Sequence, residues 1–184
     1  MPAPSKVGTL RRPRGLSRAC LSLLLLGALA TSAPSEADNT LQGVVVAVQD
    51  GDTLTLLDEG KVQHRIRLAA IDAPEKGQPF GQRSKEGLSD LVYRREVSVE
   101  WHKRDRYGRV VGKVHLAKLD INLAQVEAGL AWHYVVYARE QTPADRILYS
   151  IAEAKAREAH LGLWRGPAPV APWAFRKSKR EHTE

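Results

Sequence analysis

Four short polar segments of the chain carry the side chains that phosphodiester chemistry requires. They are residues 50–53 (Asp-Gly-Asp-Thr), 65–68 (Arg-Ile-Arg-Leu), 71–75 (Ile-Asp-Ala-Pro-Glu) and 105–109 (Asp-Arg-Tyr-Gly-Arg). Carboxylates can hold a hard divalent cation, and guanidinium groups can neutralise a phosphate whose negative charge grows in the transition state. Each segment is weak evidence alone, but the four together predict a site for phosphodiester hydrolysis.

The spacing of these residues sets conditions on the backbone that carries them. Asp50 and Asp52 have the same strand parity, so both carboxylates can face one site, although Asp-Gly is also a common hairpin turn. Arg67 and Asp72 have opposite parity, and a regular strand would send them to opposite faces of a sheet. A bend or bulge after Leu68 is therefore required if Arg67 and Asp72 share a site.

The elements that must position these segments follow from the hydrophobic pattern. Apolar and alternating runs predict five strands, at residues 41–48, 53–57, 63–71, 96–102 and 110–116. Helical spacing predicts three helices, at residues 79–94, 121–128 and 143–159, and Asp120 and Thr142 are suitable N-caps for the last two. The fold class is therefore α+β, and this order of elements predicts a five-stranded OB-fold β-barrel with three helices.

Composition divides the 184 residues into three regions. Residues 1–37 combine a basic start, a 12-residue apolar run and small residues at possible cleavage points, which is the layout of a secretory signal peptide. The run is too short to span a bilayer comfortably, and an uncleaved membrane anchor is the alternative. Residues 38–165 form one predicted domain, and residues 166–184 form a basic, Pro-rich tail.

Charge and cysteine content narrow the chemistry further. If cleavage follows Ala37, Cys20 is removed, so neither a disulfide nor a thiolate is available. Residues 1–37 carry five basic residues and one acidic residue, so the formal charge falls from +7 for the chain to +3 for residues 38–184. This modest positive charge fits a polyanionic substrate. The tail composition predicts a flexible segment; the alternatives are a phosphate- or surface-binding tail, or a tail that Trp173 docks onto the barrel.

Over residues 41–164, including the Gly-Leu-Trp end at 162–164, these motifs resemble the staphylococcal nuclease family. The resemblance implies a five-stranded OB barrel with three helices, in agreement with the hydrophobic pattern. It also implies Ca²⁺ as the cofactor, bound by Asp52, Asp72 and the backbone carbonyl of Ala73. Alanine stands where the type member has threonine, which keeps the backbone ligand and loses a hydroxyl. The family's catalytic trio corresponds to Arg67, Glu75 and Arg109.

The resemblance further implies an exported, calcium-dependent nuclease that cuts DNA and RNA with low sequence preference. Its products would carry 3′-phosphate and 5′-hydroxyl ends, and the protein would be a secreted or periplasmic monomer. Glu75 would act as a general base or orient the attacking water, and both roles remain open. Substrate contacts would come from Arg106, Tyr107, Tyr134 and Tyr137. The alternative role of Tyr134 and Tyr137 is packing against the barrel. The alternative function of the whole chain is that of a non-catalytic OB module of the cell envelope that binds nucleic acid.

Overall fold

The computed structural model describes residues 39–182, so the predicted signal peptide at residues 1–37 lies outside the described residues. The strands in this part of the chain are β1 Asn39–Asp50, β2 Thr53–Leu57, β3 Gln63–Leu68, β4 Ile71–Asp72, β5 Glu96–Arg104, β6 Val110–Leu116, β7 Leu119–Asp120 and β8 Trp132–His133. Five of them form the barrel in the order β3-β2-β1-β5-β6, and parallel pairing of β3 with β6 closes it. The predicted five-stranded OB-like barrel and its α+β class are therefore confirmed.

The barrel is closed around an apolar core because its strands alternate between buried and exposed side chains. In β5 and β6, for example, Val97, Val99, Val110 and Val114 are buried. Leu54, Leu56, Ile66 and Leu68 complete the interior from β2 and β3. Burying each such side chain stabilises the fold by about 1.5–3 kcal/mol, which fixes the register and hence the polar residues at the strand ends.

A turn interrupts the predicted third strand at the place where the sequence requires a bend. The predicted third strand, residues 63–71, is split into β3 and β4 by a turn at Ala69 and Ala70, and Ala70 has a left-handed φ of 64°. Strand β4 leaves the barrel and pairs with β8, so that Asp72 lies opposite Trp132. The turn removes the parity conflict between Arg67 and Asp72, whose side chains are hydrogen-bonded.

The α-helices among the described residues are α1 Gly81–Val92, α2 Ile121–Glu127, α3 Pro143–Glu158 and α4 Pro172–Glu181, and short 3-10 helices span Val135–Glu140 and Gly162–Arg165. Both predicted N-caps are present: Asp120 accepts from the Leu123 N–H at 3.0 Å, and Thr142 accepts from the Asp145 N–H at 3.1 Å. Helix α1 starts at Gly81 instead of residue 79 because Phe80 has a left-handed φ of 67°. None of the helices in this part of the chain is long and apolar enough to cross a membrane.

Residues 172–181 of the tail, for which composition predicts flexibility, form helix α4, in agreement with the alternative of a tail docked by Trp173. The Trp173 ring packs edge-on against Trp132, with centroids 5.6 Å apart, and lies 5.2 Å from the Tyr134 ring. Composition alone predicted a solvated tail because the segment is basic, but its few apolar residues meet a ready-made apolar surface. That surface consists of Trp132, Ala156, Leu163 and Trp164.

Candidate active site

Asp52 lies in the tight turn between β1 and β2, which is packed against α1 and α2. A side chain at Gly51 would place its Cβ 1.7 Å from Ser84 Oγ, so only glycine allows the turn to approach α1 this closely. From α2, Gln125 donates to the Gly51 carbonyl at 2.8 Å. These contacts fix the turn and bury Asp52, which is only 6% exposed.

The Asp52 carboxylate is held by donors from two directions. One oxygen, Oδ2, accepts from the Ala73 N–H at 2.6 Å, and the other accepts from the Thr53 hydroxyl at 3.1 Å. Arg67 lies between this carboxylate and Asp72: its Nη1 is 3.1 Å from Asp52 Oδ2, and its Nη2 donates to Asp72 Oδ1 at 2.9 Å. The structure thus joins three of the four segments that were singled out in the sequence.

Burial raises the pKa of Asp52 from its ordinary 3.8 to about 7. The neighbouring carboxylates Asp50 and Asp72 add to this rise, whereas Arg67 and the Ala73 N–H oppose it. The cause is the loss of water around the charge, because an anion in an apolar surrounding is less stable than its neutral form. A cation bound at the Asp52 carboxylate would favour its charged form and so oppose this rise.

Glu75 is brought to the same cluster by the extended Ala-Pro-Glu segment after β4, and its partner there is Arg176 of helix α4. Arg176 Nη1 donates to Glu75 Oε1 at 2.8 Å, and Nη2 donates to Asp72 Oδ2 at 2.8 Å. Burial disfavours the charge of Arg176, but the hydrogen bonds to Asp72 and Glu75 outweigh it and raise the pKa of the guanidinium. The sequence predicted no site role for Arg176 itself, although a phosphate-binding tail and a tail docked by Trp173 were its alternatives.

Arg109 stands apart from this cluster. Its Nε pairs with Asp105 Oδ2 at 2.7 Å. Partial burial disfavours the charge of Asp105, but the Arg109 side chain together with the Arg109 and Tyr107 N–H donors outweighs it and lowers the pKa of Asp105. Arg109 directly precedes β6, in which Val111 is the pairing partner of Arg67. Within residues 39–182, no hydrogen bond or ion pair joins Arg109 to Arg67 or to Glu75. Arg109 therefore lies directly before the strand that neighbours Arg67 and has no hydrogen bond or ion pair with its predicted partners among the described residues.

The loop before β6 carries the first two predicted substrate contacts. Tyr107 is 68% exposed, and the guanidinium carbons of Arg106 and Arg109 lie 4.9 and 5.5 Å from its ring centroid. An exposed aromatic ring flanked by guanidinium groups is suited to stacking with a base beside a phosphate.

Tyr134 and Tyr137 follow strand β8, which pairs with β4. Their rings are 5.3 Å apart, and the Tyr134 ring also packs against Trp173. Burial raises the pKa of Tyr134, and Asp72 adds to the rise while Arg176 opposes it. The Tyr134 N–H donates to the Ala70 carbonyl at 2.8 Å, directly before β4. Tyr134 is thus packed against the tail helix, whereas Tyr137 is half exposed.

The donor set can be tested against the predicted cation. No cluster of three or more histidine, cysteine or acidic side chains that could hold a metal occurs in the described part of the chain. Asp52 and Asp72 supply two buried carboxylates that share one guanidinium, and Ala73 between β4 and Glu75 supplies a backbone oxygen. Oxygen donors of this kind suit Ca²⁺, which accepts carbonyls and water beside few carboxylates. The residues present therefore fit a hard divalent cation.

Comparison with known proteins supports the assignment that the fold and site suggest. A model of the family described as "Staphylococcal nuclease homologue" matches residues 65–166. An "Uncharacterized endonuclease" of Haemophilus influenzae is 41% identical over 160 residues, covering 87% of this chain and 85% of its own. A "Micrococcal nuclease" of Shigella flexneri is 39% identical over 164 residues, covering 84% of this chain and 90% of its own. "Protein ParB" of Escherichia coli is 37% identical over 183 residues, covering 95% of this chain and 98% of its own.

These findings define the class of the protein, which is a nuclease, a hydrolase of phosphodiester bonds. The chain belongs to the family of staphylococcal nuclease homologues. The family match contains every predicted site residue except Asp52, and Arg176, which was not predicted, also lies outside residues 65–166.

Proposed function

We propose that this protein is a calcium-dependent nuclease that hydrolyses DNA and RNA with low sequence preference. The observation that supports it best is the meeting of Asp52, Arg67, Asp72 and Glu75 in one network of hydrogen bonds and ion pairs. A module that only bound nucleic acid would gain nothing from three carboxylates, because they repel a polyanion. The same three carboxylates are useful to an enzyme that binds a cation and activates water.

Each residue of the network has a distinct role in this proposal. Asp52, Asp72 and the carbonyl of Ala73 would hold the calcium ion, which when bound supplies a Lewis acid at a phosphate oxygen. Glu75 accepts a proton from the attacking water or orients it, since its side chain is 40% exposed and reachable by water and substrate. Arg67 binds a phosphate oxygen and stabilises the charge that develops there.

Arg109 would add a second guanidinium from the loop residue directly before β6. Its pair with Asp105 uses Nε, and the two terminal nitrogens are not part of that pair. Paired N–H donors are the geometry that binds a phosphate most strongly. Arg106 and Tyr107 would contact the next phosphate and base, and Tyr137 a further part of the strand; Tyr134 contributes only if its contact with α4 opens.

Export, product ends and oligomeric state complete the proposal. We infer export to the periplasm or the medium from the signal-like residues 1–37, with residues 38–165 as the nuclease domain and a monomeric mature protein. The products would carry 3′-phosphate and 5′-hydroxyl ends, as the resemblance to the staphylococcal nuclease family implies. Labelled oligonucleotides with defined ends, digested and separated by mass, would identify the products.

The central test is hydrolysis of DNA and RNA by the purified protein with calcium and with excess chelator. We expect activity only with calcium, and loss of most turnover in Glu75→Gln with retained DNA binding. Glu86→Gln is the matched control, because Glu86 is an exposed residue of helix α1. Full activity in chelator would refute the role of the metal. DNA binding without cleavage under all conditions would show that the protein is a binding module.

A further inference from the structure

Helix α4 forms one wall of a cleft that opens directly onto the Glu75 carboxylate. The cleft has a volume of about 690 Å³, and one of its walls is the segment Glu75–Gly77. Its lining from α4 is Phe175, Arg176, Lys179 and Arg180. A basic cleft beside a candidate catalytic carboxylate is suited to a phosphate backbone. The tail helix is therefore part of the site's geometry and not a separate appendage.

The position of α4 is fixed by contacts on both sides of the Arg176 side chain. Trp173, one helical turn before Arg176, packs against Trp132 next to strand β4. Gln78 is buried and connects the two segments: it accepts from the Glu75 N–H at 3.0 Å and donates to the Val170 carbonyl at 2.9 Å. The segment that carries Glu75 and the segment that leads into α4 are thus held in register.

The Arg176 guanidinium bridges two carboxylates that the proposed mechanism uses. Its Nη1 binds Glu75 Oε1, and its Nη2 binds Asp72 Oδ2, each at 2.8 Å; Nη1 also lies 3.3 Å from Asp72 Oδ1. The planar guanidinium sets the separation and relative orientation of the two carboxylates, which a lysine ammonium, as a point charge, cannot do. The Glu75 side chain is 40% exposed, so it needs such a partner to stay in one rotamer.

We propose that Arg176 is a further active-site residue of this nuclease, a positioning residue that holds Glu75 in orientation relative to Asp72. This inference rests on the proposed function of the two carboxylates and extends the site to a helix beyond the family match. It assigns the tail a role in the rate of hydrolysis. A helix that merely covered the site would inhibit the enzyme, and loosening it would raise the rate.

The first test is the steady-state kinetics of Arg176→Ala and Arg176→Lys with calcium present. A carboxylate misplaced by about 1 Å can cost about 100-fold, so we expect kcat of Arg176→Ala to fall by about 10- to 100-fold with KM little changed. Arg176→Lys should recover only part of the loss. The control is Lys177→Ala, which removes the same charge from α4, because Lys177 is exposed and its Nζ lies 3.9 Å from Glu181 of the same helix.

The second test is a double-mutant cycle with Glu75→Gln. If Arg176 acts through Glu75, adding Arg176→Ala to Glu75→Gln should cost little more than Glu75→Gln alone, because residues that act as a unit are not additive. Independent, additive losses would overturn the inference, and so would a kcat of Arg176→Ala equal to or above that of the parent. If the parent protein itself showed no nuclease activity with calcium, the proposed function would be refuted instead.

Measurements of folding and binding without turnover distinguish a misplaced Glu75 from a misfolded variant. Thermal unfolding and tryptophan fluorescence in excess chelator report whether α4 stays docked, since Trp173 is in contact with Trp132. We expect Arg176→Lys to keep the fluorescence of the parent while losing turnover. Binding of a single-stranded oligonucleotide in chelator should also stay near the parent value. A loss of binding as large as the loss of kcat/KM would overturn the positioning role.

Discussion

The buried carboxylate Asp52 should destabilise the metal-free protein at neutral pH. Because burial raises the pKa of Asp52 from 3.8 to about 7, the folded chain binds more protons there than the unfolded chain between these pH values. The contribution of Asp52 to stability therefore falls as the pH rises through this window. Because a tenfold change in proton affinity corresponds to about 1.4 kcal/mol, the raised pKa of Asp52 lowers the free energy of unfolding by about 4 kcal/mol at pH 8.

Asp52→Asn should remove most of that penalty. An asparagine can accept from the Ala73 N–H with its oxygen and donate to the Thr53 hydroxyl with its nitrogen, so its polar atoms keep partners. The attraction of Arg67 is already contained in the raised pKa of Asp52, so the gain is limited instead by how well the amide replaces the hydrogen bonds to Ala73 and Thr53, each worth about 0.5–1.5 kcal/mol. We expect Asp52→Asn to be more stable than the parent by about 1–3 kcal/mol at pH 8 in chelator.

The assay is urea unfolding of both proteins at pH 4 and pH 8, with excess chelator and again with calcium. The gain in stability should disappear near pH 4, because the Asp52 carboxyl is then largely protonated in the folded state and its penalty is absent. The control is Asp90→Asn, since Asp90 lies on the exposed face of α1. With calcium at about 100 times its Kd the parent should gain about 2.7 kcal/mol, and the variant less. An asparagine variant that is less stable than the parent at pH 8 in chelator would refute the electrostatic reasoning.

Two further substitutions separate catalysis from stability. Arg109→Lys keeps the charge but loses paired N–H donors, so kcat/KM should fall at least about tenfold, equivalent to about 1.4 kcal/mol; a near-normal rate would show that Arg109 only anchors its loop through Asp105. Tyr149→Phe removes the hydroxyl that donates to Asp120 at 2.8 Å, so the free energy of unfolding should fall by about 1–3 kcal/mol with unchanged kinetics, and an altered kcat would contradict this.

The barrel could be predicted from the sequence because its signals are local. Alternating apolar residues mark the strands, and the caps Asp120 and Thr142 each lie directly before a helix. The bend after Leu68 was also predictable, since Arg67 and Asp72 cannot otherwise share a site. What the pattern could not show was that the bend creates β4, because a two-residue strand has no period of its own and depends on its partner β8.

Arg176 could not be predicted because its partners are about 100 positions earlier in the chain. A basic segment after a proline-rich stretch has the composition of a solvated tail. One local signal was present: Pro172 is suited to the first turn of a helix, and Trp173 and Arg176 are then neighbours on one face. Their destination still depended on a tertiary surface, built around Trp132 and Trp164, that no local pattern reveals.

The arrangement of charges explains how such a site can exist before any cation binds. Three carboxylates close together would repel one another and force the β1–β2 turn and the Glu75 segment apart. Arg67 and Arg176 prevent this, since each guanidinium bridges two of the carboxylates and shares Asp72 with the other. In the proposed function a divalent cation would enter a cluster whose acids the two arginines already hold together, so little reorganisation of the backbone would be needed. By this reasoning removal of either arginine should loosen the empty site more than the loaded one, because only the empty site lacks another positive charge to hold the acids together.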